Sequence, residues 1–310
     1  MVLMFMMTKV LITGGSGLVG FNLTRELLSQ GYKVNHLSRG NKKQILGVTT
    51  YLWNPEKKEI DERCLDDVSI VIHLAGAGIT DKRWTEKRKK EIIQSRVASI
   101  ELIYDLLEKI DHRVQTIISA SASGYYSDRG EELMEETALA KNDFLGKCCA
   151  LWEQAVDKGK QYGLRIVKLR TGVVLDKKKG ALPKLLIPFK LGVGSPLGNG
   201  KQWMSWIHIK DVIAAYVYFI QHEISGIYNL SSPSPLRNKD FSQILSTKLR
   251  KRHWVPAVPG FVLKLTMGEM SIVLLGSTKM GVQKLLDAGF EFCYPTLELA
   301  LDDLLIKNSK

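Results

Sequence analysis

TKVLITGGSGLVGFNLTRELLSQ, residues 8–30, turns an apolar run into an amphipathic helical pattern across one glycine-rich turn. Gly14, Gly17 and Gly20 stand at the G-x-x-G-x-x-G spacing. The turn must be tight, the backbone must approach a pyrophosphate closely, and the helix must pack against the strand. A helix N-terminus then offers free N–H donors and partial positive charge to phosphate oxygens. Gly14, Gly15, Ser16 and Gly17, with the first helical residues Leu18, Val19 and Gly20, are therefore the expected dinucleotide cradle.

The next strand indicates which dinucleotide. NAD binders commonly place an acid about 20 residues past the first glycine to hold the ribose 2′-hydroxyl. Between Glu26 and Glu56 this chain has no acid; KVNHLSRG ends instead in Ser38 and Arg39, with Lys42 and Lys43 following. A guanidinium pairs with a 2′-phosphate in bidentate fashion and a carboxylate would repel it, so NADP(H) is expected. The sheet's carboxyl ends are where ligands bind in such folds, which adds Leu74, Ala75 and Gly76 from SIVIHLAGAG to the cofactor wall.

Outward from this unit, strand and helix patterns alternate through SIVIHLA, RVASIELIYDLLEK, TIISASA, LWEQAVDKGKQY and LRIVKLR. Such alternation predicts an α/β fold, a doubly wound parallel Rossmann-like sheet. From Gly180 a Gly- and Pro-rich interruption follows, and after about Gly226 a mainly helical remainder. We expect an NADP-binding domain over 1–230, with 181–204 contributing to a substrate lobe, and a smaller C-terminal domain over 231–310.

At 310 residues, 45% hydrophobic and 25% charged, the chain has the composition of an ordinary globule. Cys64, Cys148, Cys149 and Cys293 have no zinc-site spacing, and reduced thiols in a cytoplasmic setting are expected. MVLMFMM lacks a basic leader and runs into the first strand, so it does not read as a signal peptide, and no apolar run approaches a membrane span. The net charge of +12 is concentrated in runs such as KRWTEKRKK and KLRKRH. These read as solvated faces rather than nucleic-acid sites, because no recognition motif accompanies them. The expected partner is a small molecule, and the expected state a monomer or homodimer without metal.

Together TGGSGLVG, HLSRG, HLAGAGI, RWTEKRKKEIIQSR, SASASGYY, DFLGKCCALWE, LRTGVVL, PFKLGVGSPLGNGKQWMSWIHIKD and the C-terminal VPAVPG to AGFEFCYPTLELAL resemble the extended short-chain dehydrogenase/reductases. More narrowly, they resemble the YfcH-like "epimerase family" subgroup. The resemblance covers nearly the whole chain and implies a Rossmann-like fold, NADP binding and a reductase- or epimerase-like reaction. In the wider superfamily a hydroxyl residue, a tyrosine and a lysine do the chemistry. The resemblance places Ser121 at the hydroxyl, but Leu145 at the tyrosine and Cys149 at the lysine. None of the ten tyrosines has a lysine four residues later, so no shift of register restores the pair.

Tyr125 and Tyr126 follow the strand carrying Ser121, and can either move a proton or pack the cleft wall. Cys149 reads as a small core residue rather than a nucleophile. By resemblance Glu91 and Arg96 belong to the cofactor or catalytic surroundings. Arg96 holds either an anionic group of the ligand or an ion pair with Glu91 or a neighbouring acid. Val174 is expected at the nicotinamide end. In GNGKQWMSWIHIKD, Gln202, Trp203 and Trp206 present aromatic faces and donors suited to a cyclic or polar substrate. His208 reads as an interior histidine and Asp211 as the cap of the next helix.

Overall fold

The computed structural model describes residues 8–40, 45–251 and 257–306. MVLMFMM, Lys42, Lys43, the end of KLRKRH and the start of VPAVPG lie outside the described residues. In chain order the first half comprises β1 (Lys9–Thr13), α1 (Leu18–Ser29), β2 (Lys33–Ser38), β3 (Val48–Asn54), β4 (Glu59–Ile60), β5 (Val68–His73), α2 (Glu86–Leu107), β6 (Thr116–Ala122) and the short β7 (Leu133–Met134). Then come α3 (Phe144–Asp157), β8 (Arg165–Thr171), β9 (Val173–Leu175), α4 (Ala181–Lys190), β10 (Trp203–Met204), β11 (Trp206–His208), α5 (Ile209–Gln221) and β12 (Gly226–Leu230).

The main sheet has eight strands in the order β12-β8-β6-β5-β1-β2-β3-β4. All its pairings are parallel except that of β3 with β4. From β1 the chain winds first toward β3 and later toward β12, so its direction reverses between β1 and β5. Thr13 is in register with both Leu37 and His73, which brings three strand ends to one level at that reversal. A crevice at such a switch point is where ligands bind in open α/β sheets.

Alternation along β1 divides the core. Val10 and Ile12 pack on one face with Leu23 and Leu27 of α1 and Val212 and Phe219 of α5. Leu11 points to the other face, against Ile100 and Ile103 of α2 and Trp152 and Val156 of α3. With both faces covered, the central strands are mostly apolar, as parallel sheets favour.

The Gly- and Pro-rich stretch after Gly180, expected as an interruption, contains the helix α4. Pro183 falls in its first turn, where an N–H has no intrahelical acceptor, so only Pro188 removes a helical bond. Leu182, Leu186 and Phe189 anchor the helix in a separate core with Trp206, Phe241, Leu245, Leu297 and Leu301. After β12 the chain adds β13 (Leu236–Arg237), α6 (Asn238–Lys248) and, further on, β14 (Lys279–Met280). The last strand pairs in parallel with β7. Nearby, Arg129 N donates to Ser277 O at 2.8 Å, and Ser277 Oγ donates to Gly130 O at 2.6 Å. The C-terminal lobe is thus sewn to the segment that follows β6.

Candidate active site: a dinucleotide cleft with an altered catalytic end

β1 delivers the chain into a turn that only glycine fits at its first position. Gly14 has φ +70°, and a Cβ there would lie 2.8 Å from Leu74 O. Gly17 N donates back to Gly14 O at 2.9 Å, closing the turn. A Cβ at Gly20 would meet Gly14 O at 2.5 Å, so the helix sits as near the strand as backbone allows. No side chain caps α1. Its leading N–H groups, those of Leu18 and Val19 included, are left for a ligand's oxygens.

This turn closes one end of a cavity of about 1230 Å³. Gly14, Ser16 and Gly17 line it, as do Ser38, Arg39, Leu74, Ala75, Gly76 and Glu91. Thr13 Oγ1 fixes the floor by accepting from Leu74 N at 3.1 Å and Ala75 N at 3.0 Å. Ser38 Oγ donates to Gly40 O at 2.8 Å, while Arg39 is exposed at the strand end. Trp53, Lys58, Lys87 and Lys90, which the motifs did not single out, line the cavity too. Their signal was faint: a strand and a helix face acquire a common cavity only through tertiary packing.

Glu91 does not pair with Arg96, which corrects one of the alternatives for that arginine. Its partner is Arg88, Nη1 to Oε1 at 2.8 Å. That hydrogen bond holds the Glu91 carboxyl below the usual range, helped by the charges of Arg88, Lys82 and Arg39. Arg96 instead donates from Nη1 to Ala77 O at 3.1 Å and Ile92 O at 2.8 Å.

At the far end, α3 turns Leu145, Cys149 and Glu153 to one side, four residues apart. A Cβ on Gly124 would lie 3.5 Å from Leu145 Cβ and 3.6 Å from Cys149 Sγ, so this face closes against the turn after β6. Burial raises the Cys149 thiol pKa, in keeping with a core residue. Glu153 is held by Arg170 in bidentate fashion, Nε to Oε1 at 2.8 Å and Nη2 to Oε2 at 2.9 Å. Ser121 Oγ donates to the same Oε1 at 2.6 Å. Arg170 Nη1 donates to Tyr126 Oη at 2.9 Å, and Tyr126 Oη donates to Asn229 Oδ1 at 2.7 Å.

This network separates the three expected catalytic hydroxyls. Tyr126 has no exposed surface, and burial pushes its phenol up to about 12 against the opposing pull of Arg170. It is internal structure, a correction to its expected role in proton transfer. Ser121 is buried with its proton directed at Glu153. Tyr125 is half-buried, its ring 3.4 Å beneath the Arg170 guanidinium, and its hydroxyl has no protein partner among the described residues. Sequence reasoning missed Glu153 and Arg170. A cation inside the apolar strand RIVKLRT was the available sign, since a charge is buried only with a partner.

The loop expected to hold substrate divides in the same way. Trp206 has no exposed surface and donates from Nε1 to Ser234 O at 3.0 Å. Gln202 is buried and donates to Leu197 O at 3.0 Å and Leu274 O at 3.2 Å. Both serve the lobe's interior, correcting the expectation of substrate contact. Trp203 is half-buried, its Nε1 bonded to Glu131 Oε2 at 2.8 Å and its ring flanked by Arg237 and Lys279. Val174, half-buried, pairs with Ile207 beside the first core.

His208 is interior, stacked on Tyr294 at 3.9 Å between ring centres. It caps α5, its Nδ1 accepting from Lys210 N at 3.0 Å. Asp211, expected in that role, accepts from Cys293 N and Tyr294 N instead. Cys64, Cys148 and Cys149 are buried, Cys293 is exposed, and all four are free thiols. Among the described residues no helix is long and apolar enough to cross a membrane, and no group of three His, Cys, Asp or Glu side chains could hold a metal.

A parallel sheet with a glycine-rich turn at its switch point is the architecture of the NAD(P)-binding Rossmann-like proteins, the short-chain dehydrogenase/reductase class among them. The chain belongs to the NAD dependent epimerase/dehydratase family, whose model matches residues 10–231. Residues 258–304 match a domain of unknown function, DUF1731. Epimerase family protein SERP0438 of Staphylococcus epidermidis is 37% identical over 304 residues, covering 96% of this chain and 99% of that protein. The human epimerase family protein SDR39U1, solved with NADPH, superposes with a TM-score of 0.84 at 27% identity, over 96% of this chain and 99% of that one. A nucleoside-diphosphate sugar epimerase from Corynebacterium glutamicum gives 0.78 at 30% identity, over 98% of this chain and 61% of the other.

Proposed function

We propose that this chain is an NADP(H)-dependent oxidoreductase acting at a carbonyl or hydroxyl carbon of a small polar molecule. The observation that carries the cofactor choice is Arg39, exposed at the end of β2 on the wall of the cavity. The stretch between Glu26 and Glu56 contains no carboxylate to compete for the ribose. A glycine cradle whose side-chain space is already filled by backbone fits a pyrophosphate, and an exposed guanidinium fits a 2′-phosphate. The NADPH found with SDR39U1 supports the same choice, although the family model is described as NAD dependent.

A dihydronicotinamide held by the cleft would supply the hydride. Of the chain's own groups, Tyr125 is the acid that reaches the reacting oxygen, and Arg170 fixes its ring from behind. Ser121, its proton committed to Glu153, serves by holding that buried network beside Tyr125. Four free thiols suit a reducing cytoplasmic setting, and the working unit is a monomer or homodimer.

Calorimetry tests the cofactor. NADPH is expected to bind more tightly than NADH, and Arg39→Asp to narrow or invert a preference on the order of ten- to a hundredfold. Equal affinities in the unaltered protein would remove the 2′-phosphate argument. NADPH oxidation screened against a carbonyl library, repeated with Tyr125→Phe, tests the chemistry. Undiminished turnover moves the acid elsewhere. One observation favours a second reading, a non-catalytic NADP-binding regulator: Leu145 and Cys149 close the helix face that bears the acid–base pair in the wider superfamily. Silence across the whole library, with NADPH binding intact, would select it.

A further inference from the structure

The chain's net charge is not spread evenly. From Lys177 to Lys210 there are seven cations and no acid, and from Phe241 to Gly268 five cations and no acid. These twelve make up the whole excess of +12, since the other 32 Lys and Arg are matched by 32 Asp and Glu. KLRKRH, expected from the sequence as a solvated face, belongs to the second stretch. In the structure the first stretch contains α4, and the second contains the helix α7 (Gly260–Met267).

The same two helices hold exposed apolar side chains. α4 buries Leu182, Leu186 and Phe189 and turns Lys184, Ile187 and Leu191 outward, three and four residues apart. Ile187, Leu191 and Val193 are 58%, 73% and 53% exposed. No residue of α7 is fully buried, and Phe261 and Leu265, one turn apart with Lys264 between them, are 71% and 79% exposed. Single exposed leucines are ordinary, but a group of them on a basic surface without acids marks a contact face. The two helices are joined: Val258 N donates to Pro196 O at 2.9 Å, Gly198 N donates to Val258 O at 2.8 Å, and a Cβ on Gly260 would lie 3.9 Å from Gly198 Cα. The start of α7 is thus fastened to the segment that leaves α4. Lys210 and Lys248 pair with Asp303 and Asp302, whereas Lys184, Lys190 and Lys264 are exposed and make no ion pair among the described residues. Glu269, the acid that follows the second stretch, pairs with Lys89 of α2 at 2.5 Å.

We propose that the face formed by α4 and α7 docks this protein on an anionic bilayer surface. Ile187, Leu191, Phe261 and Leu265 enter the headgroup layer, and Lys184, Lys190 and Lys264 meet lipid phosphates, their stems lying along the apolar side chains. Charge selects this occupant. A twofold-related second copy would set the face against itself, lysine opposite lysine, with no acid in either stretch to relieve the repulsion. Nucleic acid would answer the lysines but gain nothing from leucine and isoleucine, which offer bases no plane to stack on. An anionic leaflet satisfies both, attracting each cation and accepting apolar area in the same layer. Docking of this kind is independent of the reaction in the cleft.

Flotation of the full chain with lipid vesicles tests the proposal. Binding is expected with phosphatidylcholine vesicles that contain phosphatidylglycerol, not with phosphatidylcholine alone, and it should fall as salt is raised. Leu191→Ser with Leu265→Ser keeps every charge and is expected to weaken binding on the order of tenfold or more. Lys184→Gln, Lys190→Gln and Lys264→Gln together should weaken it on the order of a hundredfold. All five are surface side chains, so unfolding midpoints in urea should stay where they are. Should the serine pair lower the midpoint, Phe261→Ser takes its place with the same reading. No flotation with the anionic vesicles overturns the proposal. Flotation that the apolar substitutions leave untouched also overturns it, because any basic protein adsorbs in that way. Without flotation, a dimer in sedimentation that the serine pair dissolves gives the face to a second copy, and retention on duplex DNA that only the lysines control gives it to nucleic acid; either result overturns bilayer docking.

Discussion

The two ends of the cleft are built from different materials. The pyrophosphate end is backbone: a glycine at φ +70°, an uncapped helix and a floor pinned by Thr13. The opposite end is side chains satisfying one another, with Ser121, Glu153, Arg170, Tyr126 and Asn229 joined in one buried network. The first leaves donors free for a ligand; the second spends them internally. The two ends are therefore built on different principles, and polar groups near a strand end do not by themselves make a catalytic site.

Gly14→Val should break the comparison at its stronger end. A branched side chain at a positive φ, aimed at the Leu74 carbonyl, strains the turn and fills the approach to the pyrophosphate. Loss of measurable NADPH binding in calorimetry is the expected outcome; retained binding would mean that the turn is not the cradle. At the other end, Glu153→Gln leaves the buried Arg170 without its counter-ion and is expected to destabilise the fold by about 3–5 kcal/mol in urea unfolding. Replacing both partners, Glu153→Leu with Arg170→Met, should cost less than either single change. If Glu153→Gln unfolds no earlier than the unaltered protein, the network is not structural and the contrast disappears.

The third test is the dependence on pH. Burial lowers His36 and His208 to about 4 and His73 to about 3, from an ordinary 6.5. Between those values and 6.5 the unfolded chain binds more protons than the folded one. The contribution is therefore complete above about pH 6.5 and is lost as pH falls toward 4, at up to about 1.4 kcal/mol per pH unit for each histidine. Unfolding midpoints at pH 7, 6 and 5 measure it, and a flat profile would show that these imidazoles take up protons without unfolding. His36 packs against Gly15 and His73 sits at the end of β5 in register with Thr13, so two of the three groups lie beside the switch point.

Much of this was legible in the sequence, and unevenly so. The sheet could be read because parallel strands buried on both faces leave continuous apolar runs, and the spacing of Gly14, Gly17 and Gly20 is set by backbone geometry alone. Whether an aromatic in a loop faces cleft or core is decided by packing between distant segments. Trp206 and Trp203 are three residues apart; one is enclosed with α4 and α6, and the other stays partly exposed. The helix α4 was hidden because proline weakens the helical pattern wherever it stands, while its cost depends on the turn it occupies. Glu153 and Arg170 belong to different elements, and no local rule pairs them.

The stitching of Ser277 to Gly130, and of β14 to β7, fixes an order of events as the polypeptide emerges from the ribosome. Most of the sheet closes through neighbours in sequence, so the nucleotide fold can assemble early, but the segment beyond Tyr126 waits for partners about 150 positions downstream. A nascent chain halted before residue 277 would carry its glycine cradle beside an unfinished rim. A segment synthesised much later than β7 thus completes the wall around Tyr125, where Met280 packs, and a product terminated before it would lack that wall.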